Sequence, residues 1–379
     1  MKKKVGIITF HASHNYGSML QAYALQQVIL GMGFDCEIIN FRTERQMCYY
    51  QPGFRRGTVQ GKIKRCLFLL PYFKPLLKKY HLFEDFLQND LQLTDKTYTT
   101  LEELAAESFP YDYYISGSDQ IWNTCCFDFD WAFYLAFVRS GEKIAYAPSM
   151  GPFAEKAILP IYYDRIKQLL RSYTSISVRE EGTARWIREH FGFDVSINLD
   201  PTLLLSVKQW NNIIDSQPLV KGDYVFVYTP FFNRDVLILA NRLSNYYKMK
   251  VVLSQVFDAD LLEHYKFVLL NNNRAVVKCD VGPKEFLNLC KYARLVCGGS
   301  FHAVAFSILL HTPFLAVDGM SDNRISNLLN ITNLQSRSVS SNMSFEMIPD
   351  LFDMDFSDAD LIISYYRQES LCWLKNELH

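Results

Sequence analysis

The sequence predicts an α/β protein built from two Rossmann-like domains that face each other across a cleft. Three observations predict it. Short apolar runs of strand length alternate with segments of helical period, the signature of a parallel sheet covered on both faces. The alternation starts afresh in the second half. With 379 residues, 49% of them hydrophobic, the chain can fill two cores of ordinary size.

In the first half, Val5 to Phe10 reads as a buried strand and Gly17 to Gly31 as a helix. Leu20, Ala24, Leu25 and Val28 share one face of that helix, and Cys36 to Phe41 reads as the next strand. Strands are expected at Tyr113–Ser116, Ile144–Ala147, Thr174–Val178 and Val195–Ile197, with helices near Leu159–Arg171 and Glu181–Phe191. In the second half, strands Tyr224–Tyr228 and Val251–Leu253 flank a helix over Arg234–Tyr247. Helix Glu285–Tyr292, strand Leu295–Cys297, helix His302–Leu310 and strand Phe314–Val317 follow. Asp200-Pro201-Thr202 marks the boundary, because proline restricts the residue before it. The expected domains are 1–200, with a basic and apolar insertion at 52–80, and 201–355. A C-terminal helix over 356–379 should pack back on the first domain.

Composition excludes several classes. A net charge of −1 offers no general attraction to nucleic acid. Nine scattered cysteines without a C-x-x-C pair fit neither a disulfide framework nor a zinc site, and suit a reducing cytoplasm. The basic, then apolar, N-terminus is too short in its apolar run for a signal peptide, and no stretch reaches transmembrane length. A cytoplasmic protein is expected. Asp128-Phe129-Asp130 resembles an acidic metal–nucleotide pair, but similar spacings recur at Asp258–Asp260, Asp353–Asp355 and Asp358–Asp360. No metal and no cofactor are therefore expected.

Residues just after strands are the candidates, since open α/β sheets bind ligands at the carboxyl ends of their strands. Lys291 to Val317 reads strand, Gly-Gly-Ser, helix, with His302 in the first turn. Unpaired N–H groups there attract anions, and an imidazole can bind one or deliver a proton. The competing reading is a plain βα turn with a satisfied histidine. After the first strand, His11, His14, Asn15 and Tyr16 precede Gly17 and a helix start, a polar lining for an acceptor or simply a capped turn. The glycine spacing matches neither a dinucleotide fingerprint nor a P-loop. Tyr114 to Asn123 places Asp119 as a base on a sugar hydroxyl and Trp122 as a stacking surface; Asp119 could equally cap a helix. Arg179 follows a strand directly and can clamp phosphate or carboxylate, or pair with its neighbours Glu180 and Glu181. Arg324, before a helix, is a second anion ligand or an ordinary helix-terminal arginine.

The insertion carries Arg55, Arg56, Lys62, Lys64, Arg65, Lys74, Lys78 and Lys79 among apolar residues. Such a segment suits an anionic membrane surface, at about 1 kcal/mol per basic residue, or a lid. Pro71 and Pro75 argue against one long helix there.

Taken in order, FHASHNYGSMLQAYALQ, DYYISGSDQIWN, KIAYAPSMG, SISVREEG, LDPTLLL, GPKEFL, GGSFHAVAFSILLHTPF and NRISNLL resemble the polysaccharide pyruvyl transferase family, from the first strand to about Leu329. The resemblance implies an architecture similar to that of the B-type glycosyltransferases. It also implies transfer of pyruvate from phosphoenolpyruvate to two hydroxyls of a sugar in a surface polysaccharide or its lipid-linked precursor, giving a cyclic ketal and phosphate. His302 and Arg179 would hold the donor anions, with His302 as a general acid. Asp119 or His14 would deprotonate the acceptor. The family is implied to carry an arginine two residues before the histidine; here that position is Ser300, and the glycine after the histidine is Ala303. Ser300 and Arg324 complete the expected donor site. Two other readings stand beside this one: a glycosyltransferase using a nucleotide-sugar donor, and a non-catalytic glycan-binding homologue.

Overall fold

The computed structural model describes residues 2–51, 73–230, 233–254, 272–348 and 350–379. Each half is built on one six-stranded, all-parallel sheet. The first has the order β2-β1-β3-β4-β5-β6, from β1 (Lys4–Ile8), β2 (Asp35–Ile38), β3 (Tyr113–Ser116), β4 (Glu142–Ala145), β5 (Ser175–Val178) and β6 (Ser196–Ile197). Its helices include α1 (Tyr16–Gly31), α2 (Glu44–Tyr50), α3 (Phe73–Asp90), α4 (Tyr163–Leu170) and α5 (Glu181–Phe191).

The second sheet has the order β12-β11-β10-β7-β8-β9. Its strands are β7 (Tyr224–Tyr228), β8 (Lys250–Leu253), β9 (Ala275–Val277), β10 (Leu295–Gly298), β11 (Phe314–Val317) and β12 (Ser338–Val339). Helices α6 (Arg234–Tyr247), α7 (Pro283–Lys291), α8 (Phe301–Leu309) and α9 (Asn323–Ile331) belong to this half. The first sheet ends at Ile197 and the second begins at Tyr224, so Asp200–Pro201 falls on the connecting segment.

Strands end where the apolar run meets polar residues that must turn toward the cleft. Thus β1 stops at Ile8, and Thr9 to Ser13 form a buried polar turn instead of extending the strand. Asn15 caps α1 by accepting from Gly17 N at 3.0 Å, which fixes where the helix starts. Gly298 at the end of β10 lets that strand lie against β7, since a Cβ there would overlap the Tyr228 carbonyl.

The expectation against a long helix near Pro71 and Pro75 holds only in part. α3 runs through Pro75, which sits in the first turn, where no intrahelical N–H is required. Residues 52–72 of the insertion, and with them most of the membrane expectation, lie outside the described residues. No helix among the described residues is long and apolar enough to cross a membrane.

The halves share one apolar core. Tyr16 of α1 stacks on Phe286 of α7 (centroids 4.7 Å apart), and its hydroxyl bonds to Ser254 Oγ (2.9 Å) and Val281 O (3.2 Å). The last helix, α10 (Ser357–Glu377), starts on the second half, where His311 meets Asp360 at 2.9 Å. It then returns to the first: Arg367 Nε donates to Leu203 O (2.7 Å), Ser370 Oγ accepts from Leu199 N (3.0 Å), and Glu377 accepts from Ser175.

Candidate functional site

The site forms where β5 and β6 of the first sheet meet the start of α8 in the second. Arg179, directly after β5, is 4% exposed. Its Nε donates to Glu180 Oε1 (2.8 Å) and its Nη1 to Asp200 Oδ2 (2.7 Å), while its guanidinium lies over the Phe301 ring at 4.3 Å. Its Nη2 is buried with no hydrogen-bond partner.

Asp200, three residues beyond the end of β6, is the hub. Oδ1 accepts from Thr202 N (2.9 Å) and Thr202 Oγ1 (2.7 Å), and Oδ2 also accepts from Ser118 Oγ (3.2 Å). Burial alone would push this carboxyl up; His302, Arg179 and Thr202 outweigh it and hold Asp200 well below the usual carboxylate range.

His302 reaches the hub from the other half. Its Nε2 lies 3.6 Å from Asp200 Oδ2, beyond hydrogen-bond distance, and is buried without a partner. The ring packs on Gly17, where any Cβ would overlap Nδ1. Two buried nitrogens, Arg179 Nη2 and His302 Nε2, thus flank one carboxylate with hydrogen-bonding capacity unspent. Ser300 caps α8 by accepting from Ala303 N (3.5 Å), which satisfies one first-turn N–H and leaves those of Phe301 and His302 without an intrahelical partner.

Asp119 follows β3 with φ 73° and ψ −175°, a strained backbone for a non-glycine residue. Its carboxylate accepts from Ser18 at the start of α1, and its carbonyl accepts from Ser149 N at 2.8 Å. Ser18 adjoins Gly17, on which the His302 ring packs, so Asp119 and His302 meet the same first turn of α1.

Several expected ligands are placed differently. Trp122 is fully buried and stacks on Tyr134 (5.2 Å, 8°), so it presents no face to a sugar. Tyr16 is spent on the contact between the halves, and Asn15 on the α1 cap. His14 is sandwiched between Phe83 and Tyr50 (4.9 and 5.0 Å), with Nε2 2.8 Å from Glu84 Oε1. Burial lowers the His14 pKa despite Glu84, and Arg42 clamps that same carboxylate at 2.7 and 3.0 Å. His14 is therefore a buried hydrogen-bonded residue rather than a base open to the cleft. Arg324 is held by Asp322 (2.6 and 2.9 Å) and offers no spare charge in place of the arginine missing at Ser300. The neighbouring Asn323 does join the halves: its N–H donates to Pro152 O at 3.1 Å.

Sequence reading passed over Asp200, Ser118 and Ser18 as site residues, and named Glu180 only as the alternative partner of Arg179, a pairing that the structure shows. Asp200 had a signal, its place three residues past a strand end, but Asp-Pro reads as a boundary.

The polysaccharide pyruvyl transferase family model matches residues 15–319. The chain belongs to that family. The match takes in Arg179, Asp200, His302 and Asp119 alike. A search of curated proteins finds no match. Among solved structures, this pyruvyl transferase family member is similar to HepE of Anabaena in complex with UDP (TM-score 0.55, 10% identity, 99% of this chain and 100% of that one). It is also similar to S. aureus MnaA with UDP (TM-score 0.54, 10% identity, 97% and 96%) and to a glycosyltransferase from Rickettsia africae (TM-score 0.51, 9% identity, 100% and 93%). At such identities the likeness is one of fold, the two-domain Rossmann-like architecture of the B-type glycosyltransferases.

Proposed function

We propose that this family member transfers pyruvate from phosphoenolpyruvate to two hydroxyls of a sugar, forming a cyclic ketal and releasing phosphate. The observation that carries the reading is the pair of unpartnered buried groups, Arg179 Nη2 and His302 Nε2, at the start of α8. The donor has a phosphate and a carboxylate, and an arginine beside helix-terminal N–H groups suits both.

Chemistry begins when C3 of the enol takes a proton and C2 becomes electrophilic. His302 is the group placed to deliver that proton. Asp200 orients both partners: it fixes the Arg179 fork through Nη1 and faces the His302 ring. Glu180 holds Nε, so Arg179 presents one edge only. Asp119, fixed by Ser18, takes the proton of an attacking hydroxyl. The acceptor is a sugar of a surface polysaccharide or its lipid-linked precursor, handled in the cytoplasm at the membrane face, with the basic 52–80 insertion as a membrane contact.

A second reading is favoured by one finding, that HepE and MnaA carry UDP on this fold. It makes the protein a glycosyltransferase with a nucleotide-sugar donor. Thermal-shift titrations separate the two. Stabilisation by phosphoenolpyruvate and not by UDP-sugars supports pyruvyl transfer; stabilisation by UDP-sugars alone overturns it.

A further inference from the structure

Four acidic side chains are buried among the described residues: Asp119, Asp128, Glu180 and Asp200. Glu180 and Asp200 are committed to Arg179. The other two have no cation at ion-pair distance among the described residues. Asp119 takes Ser18, while Asp128 Oδ2 takes Ser13 Oγ (3.2 Å) and Gln46 Nε2 (3.3 Å), all neutral donors. Burying a carboxylate without a cation is costly, and such groups concentrate where their chemistry is used. Both lie beside the His11–Ser18 turn that leads into α1: Ser13 serves one and Ser18 the other. The same turn carries Gly17, the neighbour of Ser18, on which the His302 ring packs.

Ketal formation removes a proton from each of two sugar hydroxyls. We propose that Asp128 is the second catalytic carboxylate of this site, taking the proton of the second hydroxyl as the ketal ring closes, while Asp119 serves the first. The inference rests on the pyruvyl-transfer reading. Two O–C2 bonds and one C3–H bond form, while the C2=C3 π bond and the C2–O bond to phosphate break. C3 gains one proton and the departing phosphate or solvent carries the other, so the two hydroxyl protons are accounted for. Burial, and secondarily Asp119, raise the Asp128 carboxyl to about 6, against the pull of Ser13 and Gln46, so it can take and return a proton near neutral pH.

The test uses the full chain with phosphoenolpyruvate and a nitrophenyl galactoside or mannoside. Asp128→Asn keeps an acceptor for Ser13 and Gln46 and removes only the base. The expected result is a fall in kcat of at least about 100-fold with KM for phosphoenolpyruvate little changed. Mass spectrometry of single turnovers should find an open adduct that retains phosphorus. In the wild type, the rate should fall below an apparent pKa near 6, a readout that does not depend on the variant folding. Wild-type kcat in Asp128→Asn, or a rate flat from pH 5 to pH 8 in the wild type, overturns the assignment while pyruvyl transfer stands. A wild type that releases no phosphate with any acceptor overturns both.

Discussion

His302 rests directly on Gly17: the imidazole of the second half occupies the space a side chain would take at the start of α1 in the first. The glycine is thus a contact point between the two halves, not a flexible hinge. Gly17→Ala should displace the ring from Asp200. Activity should fall about 100-fold or more, as for a misplaced catalytic group, with the protein still folded. A wild-type rate in Gly17→Ala, measured as phosphate release, would remove this contact from the account.

Asp200 should matter to stability as well as rate. Asp200→Ala leaves Arg179 buried with one partner, and breaking such a pair costs about 3–5 kcal/mol. Urea unfolding of Asp200→Ala against wild type checks the magnitude. A loss within experimental error of zero would mean that Arg179 finds another partner.

Acid sensitivity should centre on Glu84. Burial opposes ionisation there, but bonds from His14 and Arg42 prevail and lower its pKa to about 2. A depressed carboxyl pKa stabilises the fold above the ordinary value near 4.5, and that contribution is lost as pH falls toward 2. Glu84→Gln should therefore lower Tm at pH 7 and narrow its gap to wild type as pH falls through this window. A gap that widens on acidification would contradict the pairing.

Asp128 carries the opposite sign. Its raised pKa favours the folded state below the ordinary value of 3.8, and that stability is lost as pH rises through about 6. Asp128→Asn should thus be more stable than wild type at pH 8, by on the order of 3 kcal/mol, and no more stable at pH 4. Parallel denaturant melts at the two pH values test it.

Much of the fold was legible because strand and helix periods differ and each half repeats the same rhythm. The short edge strands β9 and β12 were not, since three- and two-residue ladders leave too little pattern to read. At the site, Arg179, Asp119 and His302 could be picked out because each follows a strand. Trp122 misled: only its stack on Tyr134, an arrangement of tertiary packing, shows that its face is taken. Tyr16 and His14 misled for a similar reason, their partners lying in α7, α3 and distant loops. Asp200 was hidden because its role depends on residues 21 positions before it and 102 after it meeting at one carboxylate.

The most direct measurement is phosphate release from phosphoenolpyruvate with lipid-linked or nitrophenyl galactosides and mannosides, comparing wild type with His302→Ala and Arg179→Ala. The account predicts turnover in the wild type and a loss of at least about 100-fold in each variant. Turnover unchanged in both variants would contradict it.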